Sequence, residues 1–268
     1  MRLTRFAFAL LPLVLAADAL AQQPHGTSLL PGDVVLNPAT PTPSGTAPIP
    51  EGPRLHAISV IVIDAGHGGD DAGARAASTT PIAEKDLVLE IAKRIEAAVT
   101  AQTGARVLLS RGGDVHLGAS DRTSFANEAR ADLFLSIHAN ASPSENAHGF
   151  RLYYHDASNA DSGAQPAPAV PWPLAQRESE AKSARFAELL RESLAAKVTL
   201  ADRGVKRVPM TVLEGSTCPS VLLEVGFLSN KDEALALSTG AVQDAIAEAV
   251  VDAVLKMDAT LEEGTPSR

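Results

Sequence analysis

From about residue 57 onward, short runs of aliphatic and β-branched residues recur along the chain. Among them are Ile58-Ser-Val-Ile-Val-Ile-Asp-Ala-Gly, Leu133-Phe-Leu-Ser-Ile, Phe150-Arg-Leu-Tyr-Tyr and Val221-Leu-Leu-Glu-Val-Gly-Phe-Leu. Runs this short, nearly unbroken and bounded by Gly, Asp or Asn, read as strands buried on both faces. The pattern predicts strands at about 57–64, 105–109, 132–138, 149–154, 210–213 and 219–226. Between them, apolar positions at helical spacing predict helices at about 81–101, 118–130, 174–197 and 230–257. Thr80 and Pro81 suit the cap and first turn of the first helix, and Ser229-Asn-Lys-Asp has a capping-box spacing at the start of the last. Strands alternating with helices imply an α/β fold: a single domain built on a mostly parallel, twisted sheet of about six strands with helices on both faces.

The ends of the chain have another character. Met1-Arg-Leu-Thr-Arg, an apolar stretch from Phe6 to Leu15 and Ala19-Leu-Ala21 have the order of a signal peptide, so residues 1–21 are expected to be removed on export. Residues 22–54 are dense in Pro, Thr, Ser, Gly and Ala without a period and read as a linker. The folded domain is expected over 55–258, with 259–268 as a disordered tail. A formal charge of −9 argues against a nucleic-acid partner. Aromatics make up 4% of the chain, too few for an aromatic glycan-binding platform. With Cys218 as the only cysteine, no intrachain disulfide can form, and the residue is expected to be a small buried side chain beside Pro219.

The chemistry is carried by two histidines and two glutamates. His67 and His138 each close a strand-like run, at the carboxyl end where ligands gather in open α/β sheets. Glu84 lies near the start of the first helix, where an acid ordinarily complements the helix dipole. Its face is shared, however, with Val88, Ile91 and Ile95, so it looks toward the core. Glu224 interrupts an apolar strand with no basic neighbour in the run. A buried carboxylate left alone costs several kcal/mol, so a metal, a cation or a proton is expected to meet it. Two neutral histidines and one carboxylate are a hydrolytic zinc set, and a second carboxylate beside them can act as general base.

Four segments in order resemble the zinc-dependent N-acetylmuramoyl-L-alanine amidases of bacterial cell walls: Ile63-Asp-Ala-Gly-His-Gly-Gly-Asp-Asp-Ala-Gly-Ala, Glu84-Lys-Asp-Leu, Ala131-Asp-Leu-Phe-Leu-Ser-Ile-His-Ala-Asn-Ala and Val221-Leu-Leu-Glu-Val-Gly-Phe-Leu-Ser-Asn. The resemblance runs from about Ile58 to Met257. It implies that His67, Glu84 and His138 hold Zn2+ and that Glu224 is the catalytic glutamate. The implied reaction is hydrolysis of the amide joining N-acetylmuramic acid to the L-alanine of the peptidoglycan stem. Ala65 departs from the family, which usually has proline there, and Thr217-Cys218 precede Pro219; neither change removes a ligand or the base.

Around this centre Asn140, Arg111 and His148 are candidate substrate contacts, while Arg111 and Arg122 have a structural alternative as partners of Asp114 and Asp121. Asp64 either supports a ligand from behind or bonds its own turn. Gly66, Gly68 and Gly69 fit close backbone packing near a metal better than a phosphate loop. The proline-rich stretch 156–174 does not suit a long blocking helix, so strong autoinhibition is not expected; Glu178 and Glu180 are the nearby acids. The expected protein is exported, to the periplasm, monomeric and free of the membrane after signal cleavage. It acts on peptidoglycan in cell-wall remodelling and daughter-cell separation, and a protein activator is expected to target it. Two alternatives stand beside this reading: a zinc peptidase cutting within the stem, and a non-catalytic peptidoglycan-binding regulator.

Overall fold

The computed structural model describes residues 57–76, 82–156 and 172–263. The expected signal peptide and linker lie outside the described residues, as do Thr80, Pro81 and most of the 156–174 stretch. Six strands are present: β1 Val60–Ala65, β2 Arg106–Leu109, β3 Leu133–Asn140, β4 Phe150–His155, β5 Asp202–Val208 and β6 Ser220–Phe227. With them are five helices: α1 Glu84–Thr103, α2 Ala119–Glu128, α3 Trp172–Lys197, α4 Lys231–Leu237 and α5 Gly240–Glu263. The strands form one sheet in the order β2-β1-β3-β6-β4-β5, parallel throughout except where β4 runs antiparallel to β6. This is the expected α/β architecture, and it accounts for the sequence pattern. Strands β1, β3 and β6 are flanked on both sides and covered on both faces, so their sequences are nearly continuous in apolar residues.

Alternate residues divide between two cores. Ile61, Ile63, Leu133, Leu135, Ile137, Val221 and Leu223 face the larger one, which α1, α3 and α5 complete with Val88, Ile91, Ile95, Leu190 and Val250. Val62, Phe134 and Leu222 face the other, under Ala126 of α2 and under Leu213 and Cys218 of the turn before β6. This second cover ends at the level of those three residues. One step further along the same strands and on the same face come Asp64, Ser136 and Glu224, with His138 paired to Glu224, all polar. On this face the strands are apolar toward their amino ends and polar toward their carboxyl ends, where Asp64 and Ser136 are buried and His138 and Glu224 are partly exposed.

Several expected boundaries move. The run Met210-Thr-Val-Leu is a turn rather than a strand, with Leu213 turned into the second core. The sixth strand is the polar segment Asp202–Val208 instead. As an edge strand it has one neighbour and open faces, so no apolar run marks it. Helix α1 starts at Glu84, with Ala83 as a cap that makes no side-chain bond, rather than at Pro81. The last helix is two, broken at Ser238–Thr239 with a bend of 72°. The cap of α4 is Asn230, not Ser229: its side chain accepts from the backbone N–H of Asp232 and Glu233. Helix α5 continues to Glu263, so the first half of the expected disordered tail is helical. Among the described residues no single helix is long and apolar enough to cross a membrane.

Candidate metal centre

Glu84 is the first residue of α1, and the buried face that carries it includes Val88, Ile91 and Ile95. Burial of each of those side chains contributes about 1.5–3 kcal/mol, which anchors the helix and fixes the depth of the carboxylate. The carboxylate Oε1 lies 3.0 Å from Nε2 of His67 and 3.0 Å from Nδ1 of His138. It also accepts the backbone N–H of Ala139, while Oε2 accepts that of Ala74. Burial pushes the Glu84 carboxyl up, but the two imidazoles and two backbone donors outweigh it and hold its pKa at about 2. Glu84 is thus a carboxylate at any working pH.

The two imidazole rings meet edge to face with centroids 5.0 Å apart. His67 Nδ1 lies 2.8 Å from Asp71 Oδ2; with its proton held in that hydrogen bond, the neutral ring would have the Nε2 lone pair free for a metal ion placed between it and Glu84. The hydrogen bond to Glu84, followed by that to Asp71, raises the His67 pKa above its usual value against the effect of burial. Nε2 of His138 is buried without a hydrogen-bond partner. One donor atom from each of His67, Glu84 and His138 falls within 4.8 Å of the others, the one such set among the described residues. Two imidazole nitrogens and an ionised carboxylate, backed by a carboxylate behind one ring, suit zinc.

His67 sits on a turn that the backbone would not adopt unaided. Its φ is +59°, unusual for a residue with a side chain. Two buried arginines hold that turn by its carbonyls. Arg122 donates to the carbonyls of Ala65 and His67 and to Asp64 Oδ1 at 2.6 Å. Arg111 donates to the carbonyls of Ala65, Gly66, Lys85 and Gly113. Asp64 is fully buried and accepts from Ser110 and Ser136 as well, so it supports the turn through Arg122 rather than bonding its own backbone. Glycine is required where the rings come close: a Cβ on Gly66 would lie 2.2 Å from His138, and one on Gly73, at φ +63°, would lie 2.5 Å from Glu84.

Glu224 stands directly beside the trio, in register with His138 on the neighbouring strand. It is half-buried rather than sealed in the core, and neutral groups meet it: the Asn140 amide and the Tyr153 hydroxyl both donate to Oε2, the latter at 3.2 Å. Its register partner on β4 is a cation, Arg151, on the same face of the sheet.

The other expected site residues fare differently. Asn140 reaches the site but spends its amide on Glu224. Arg111 is a correction: it is 2% exposed with its guanidinium bonded to four carbonyls, so it builds the His67 turn and presents nothing to a substrate. Neither arginine takes the acid expected for it, since Asp114 pairs with Lys85 and Arg122 pairs with Asp64. His148 is exposed on the loop before β4, its ring on the Asn146 carbonyl, and is not brought to the metal ligands. Glu180 is held by Arg207; the Glu178 side chain lies outside the described residues. Two contributors were missed. Asp71, four residues after His67, was legible as a carboxylate in the same turn. Tyr153 had no signal beyond the alternation that puts it on the Glu224 face.

The N-acetylmuramoyl-L-alanine amidase family matches residues 61–256. The chain is 36% identical to N-acetylmuramoyl-L-alanine amidase LytC of Bacillus subtilis over 192 residues, covering 72% of this chain and 34% of LytC. It spans only about a third of that relative's length. Among solved structures, the catalytic domain of CwlV, an N-acetylmuramoyl-L-alanine amidase from Bacillus (Paenibacillus) polymyxa var. colistinus, superposes with a TM-score of 0.62 at 31% identity, covering 74% of this chain and 97% of that one. An N-acetylmuramoyl-L-alanine amidase from Clostridium difficile 630 gives 0.64 at 28% identity, covering 78% and 100%. With the family pattern spanning nearly all of the described fold, including the whole His67, Glu84, His138 and Glu224 cluster, the chain belongs to the N-acetylmuramoyl-L-alanine amidase family.

Proposed function

We propose that this protein is an exported zinc hydrolase that cleaves the amide between N-acetylmuramic acid and L-alanine in peptidoglycan. The observation that carries this reading is the convergence of His67, Glu84 and His138 on one point with Glu224 in register beside them. His67 Nε2, the Glu84 carboxylate and His138 Nδ1 would hold the zinc. When bound there, zinc supplies a Lewis acid that polarises the scissile carbonyl and eases deprotonation of water. Asn140 and Tyr153 fix Oε2 of Glu224, leaving Oε1 to take the proton of the attacking water; the resulting acid then returns that proton to the departing amine nitrogen.

In this reading residues 1–21 direct export to the periplasm, 22–54 tether the domain and 55–258 carry the catalysis, in a monomer that serves cell-wall remodelling and daughter-cell separation. A protein activator is consistent with a solved relative, CwlD from Clostridioides difficile, which is described in complex with the GerS lipoprotein. The acidic surface of this chain gives no electrostatic attraction to anionic wall polymer, so targeting through a partner fits the same reading.

The test is mass spectrometry of the products released from purified sacculi, with and without chelator. Free L-alanyl peptides together with glycan bearing intact lactyl groups, lost on chelation, support the amidase. Muramoyl-alanine fragments would show cleavage within the stem instead, and no release from zinc-loaded protein would sink the enzymatic reading.

A further inference from the structure

Most cations of the described domain are already committed. Arg111 and Arg122 hold carbonyls and Asp64, Lys85 pairs with Asp114, Arg94 with Asp244, Lys197 with Asp252 and Arg207 with Glu180. Arg151 and Lys206 belong to the remainder: among the described residues neither has a carboxylate within ion-pair reach, and both lie on the Glu224 face of the sheet. Arg151 stands next to the proposed catalytic glutamate, and Lys206 lies one strand further out. Arg151 on β4 is the register partner of Glu224 on β6, and Lys206 on β5 is the register partner of Tyr153, whose hydroxyl bonds Glu224. Cross-strand partners share a face, so Glu224, Arg151, Tyr153 and Lys206 lie on one side of the sheet. Arg151 is half-buried with Nε donating to the Arg203 carbonyl at 3.3 Å, and Lys206 is exposed.

Edge strands often carry lysine to block pairing with other sheets. That accounts for Lys206 but not for Arg151, which sits one strand inside the edge. We propose that Arg151 and Lys206 form a carboxylate-binding subsite for the peptide half of the substrate, running from Glu224 to the outer edge of the sheet. The inference rests on the amidase reading above. In the scissile compound the lactyl carboxyl of the muramic acid is consumed in the amide bond, so free carboxylates lie on the peptide side alone. Strands are spaced about 4.8 Å apart and rise about 3.4 Å per residue, and Lys206 is level with Leu222, two residues along from Glu224; Arg151 and Lys206 therefore stand about 5 and 12 Å from Glu224, which an extended peptide covers in two to four residues. A carboxylate two to four residues beyond the cut is therefore the group recognised.

Steady-state kinetics of the zinc-loaded full chain on two synthetic muramoyl peptides test this, one with free peptide carboxylates and one with the same groups as amides. Binding of the corresponding free peptides, measured by calorimetry, provides a readout independent of turnover. The natural sequence should favour the carboxylate form in KM and in Kd, with a preference that shrinks as salt is added. Arg151→Gln and, separately, the exposed Lys206→Gln should each cut that preference about tenfold or bring it near unity, and Arg151→Lys should restore part of it. Equal KM and Kd for the two forms in the natural sequence, or a preference unchanged in both Gln variants, would overturn the subsite. Failure to hydrolyse either compound would instead count against the amidase reading, and the binding preference would still decide the subsite.

Discussion

His138 and Glu224 are register partners on adjacent parallel strands, so their side chains leave the same face of the sheet at the same level. One strand spacing separates the residue that would hold metal from the residue that would move the proton. The two tasks are therefore separable by mutation. Glu224→Gln should keep zinc at one equivalent while turnover on sacculi drops by about 10²–10⁴-fold, whereas His67→Ala should lose the metal itself. Elemental analysis alongside product release checks both, and near-normal turnover of Glu224→Gln would remove it as the base.

Asp71 touches no other ligand of the trio, yet its Oδ2 lies 2.8 Å from Nδ1 of His67 in a hydrogen bond. Asp71→Asn should weaken zinc binding by about 10–100-fold without unfolding the domain. Competition against a chromophoric chelator measures this. An unchanged affinity would mean that the contact does not orient the ring.

Metal affinity should also depend on pH with a defined sign. The hydrogen bonds to Glu84 and Asp71 raise the His67 pKa in the metal-free protein, so protonated His67 is stabilised and must lose its proton for Nε2 to bind zinc. Below that raised pKa the affinity should fall as pH falls, by about tenfold per unit for one proton displaced; above it the dependence on this group should vanish. The carboxylate of Glu84, held at about 2, should contribute no step between pH 4 and 8. Chelator competition across pH 5–8 gives the slope, and a flat profile would contradict the assignment of His67 as a ligand.

Cys218 is buried beneath the second face of the sheet, and burial pushes its thiol up to about 11. The thiolate is the reactive form, so native protein at pH 8 should resist alkylation by iodoacetamide. Unfolding in guanidinium should expose a single reactive thiol. Rapid labelling of the native protein would show that the 210–218 turn opens.

The Asp64–Arg122 pair is almost wholly buried and joins β1 to α2 beneath the His67 turn. Removing one partner leaves the other as an uncompensated charge, at a cost of about 3–5 kcal/mol. Asp64→Ala should therefore lower the denaturation midpoint strongly, and Asp64→Asn less so. Chemical denaturation of the metal-free protein checks the order. A loss under about 1 kcal/mol for Asp64→Ala would mean the charge is solvated.

What the chain states by itself is what burial imposes residue by residue. Ile61, Ile63, Leu133, Leu135, Val221 and Leu223 lie in strands with neighbours on both sides and cover on both faces, so their runs are visible without a fold. His67, His138 and Glu224 interrupt or end those runs, and the apolar companions of Glu84 turn it inward; their places follow from local pattern alone. The assignments that changed depend on partners far away in the chain. Asn140 meets Glu224 across 84 residues, Arg122 meets Asp64 across 58, and Arg111 meets the Ala65 carbonyl across 46. A polar side chain carries no mark of whether its donors end on a carbonyl, a carboxylate or a ligand, because that depends on which strand lies beside it. For the same reason β5 was invisible: its place at the sheet edge, set by the packing of β4, lets its residues stay polar.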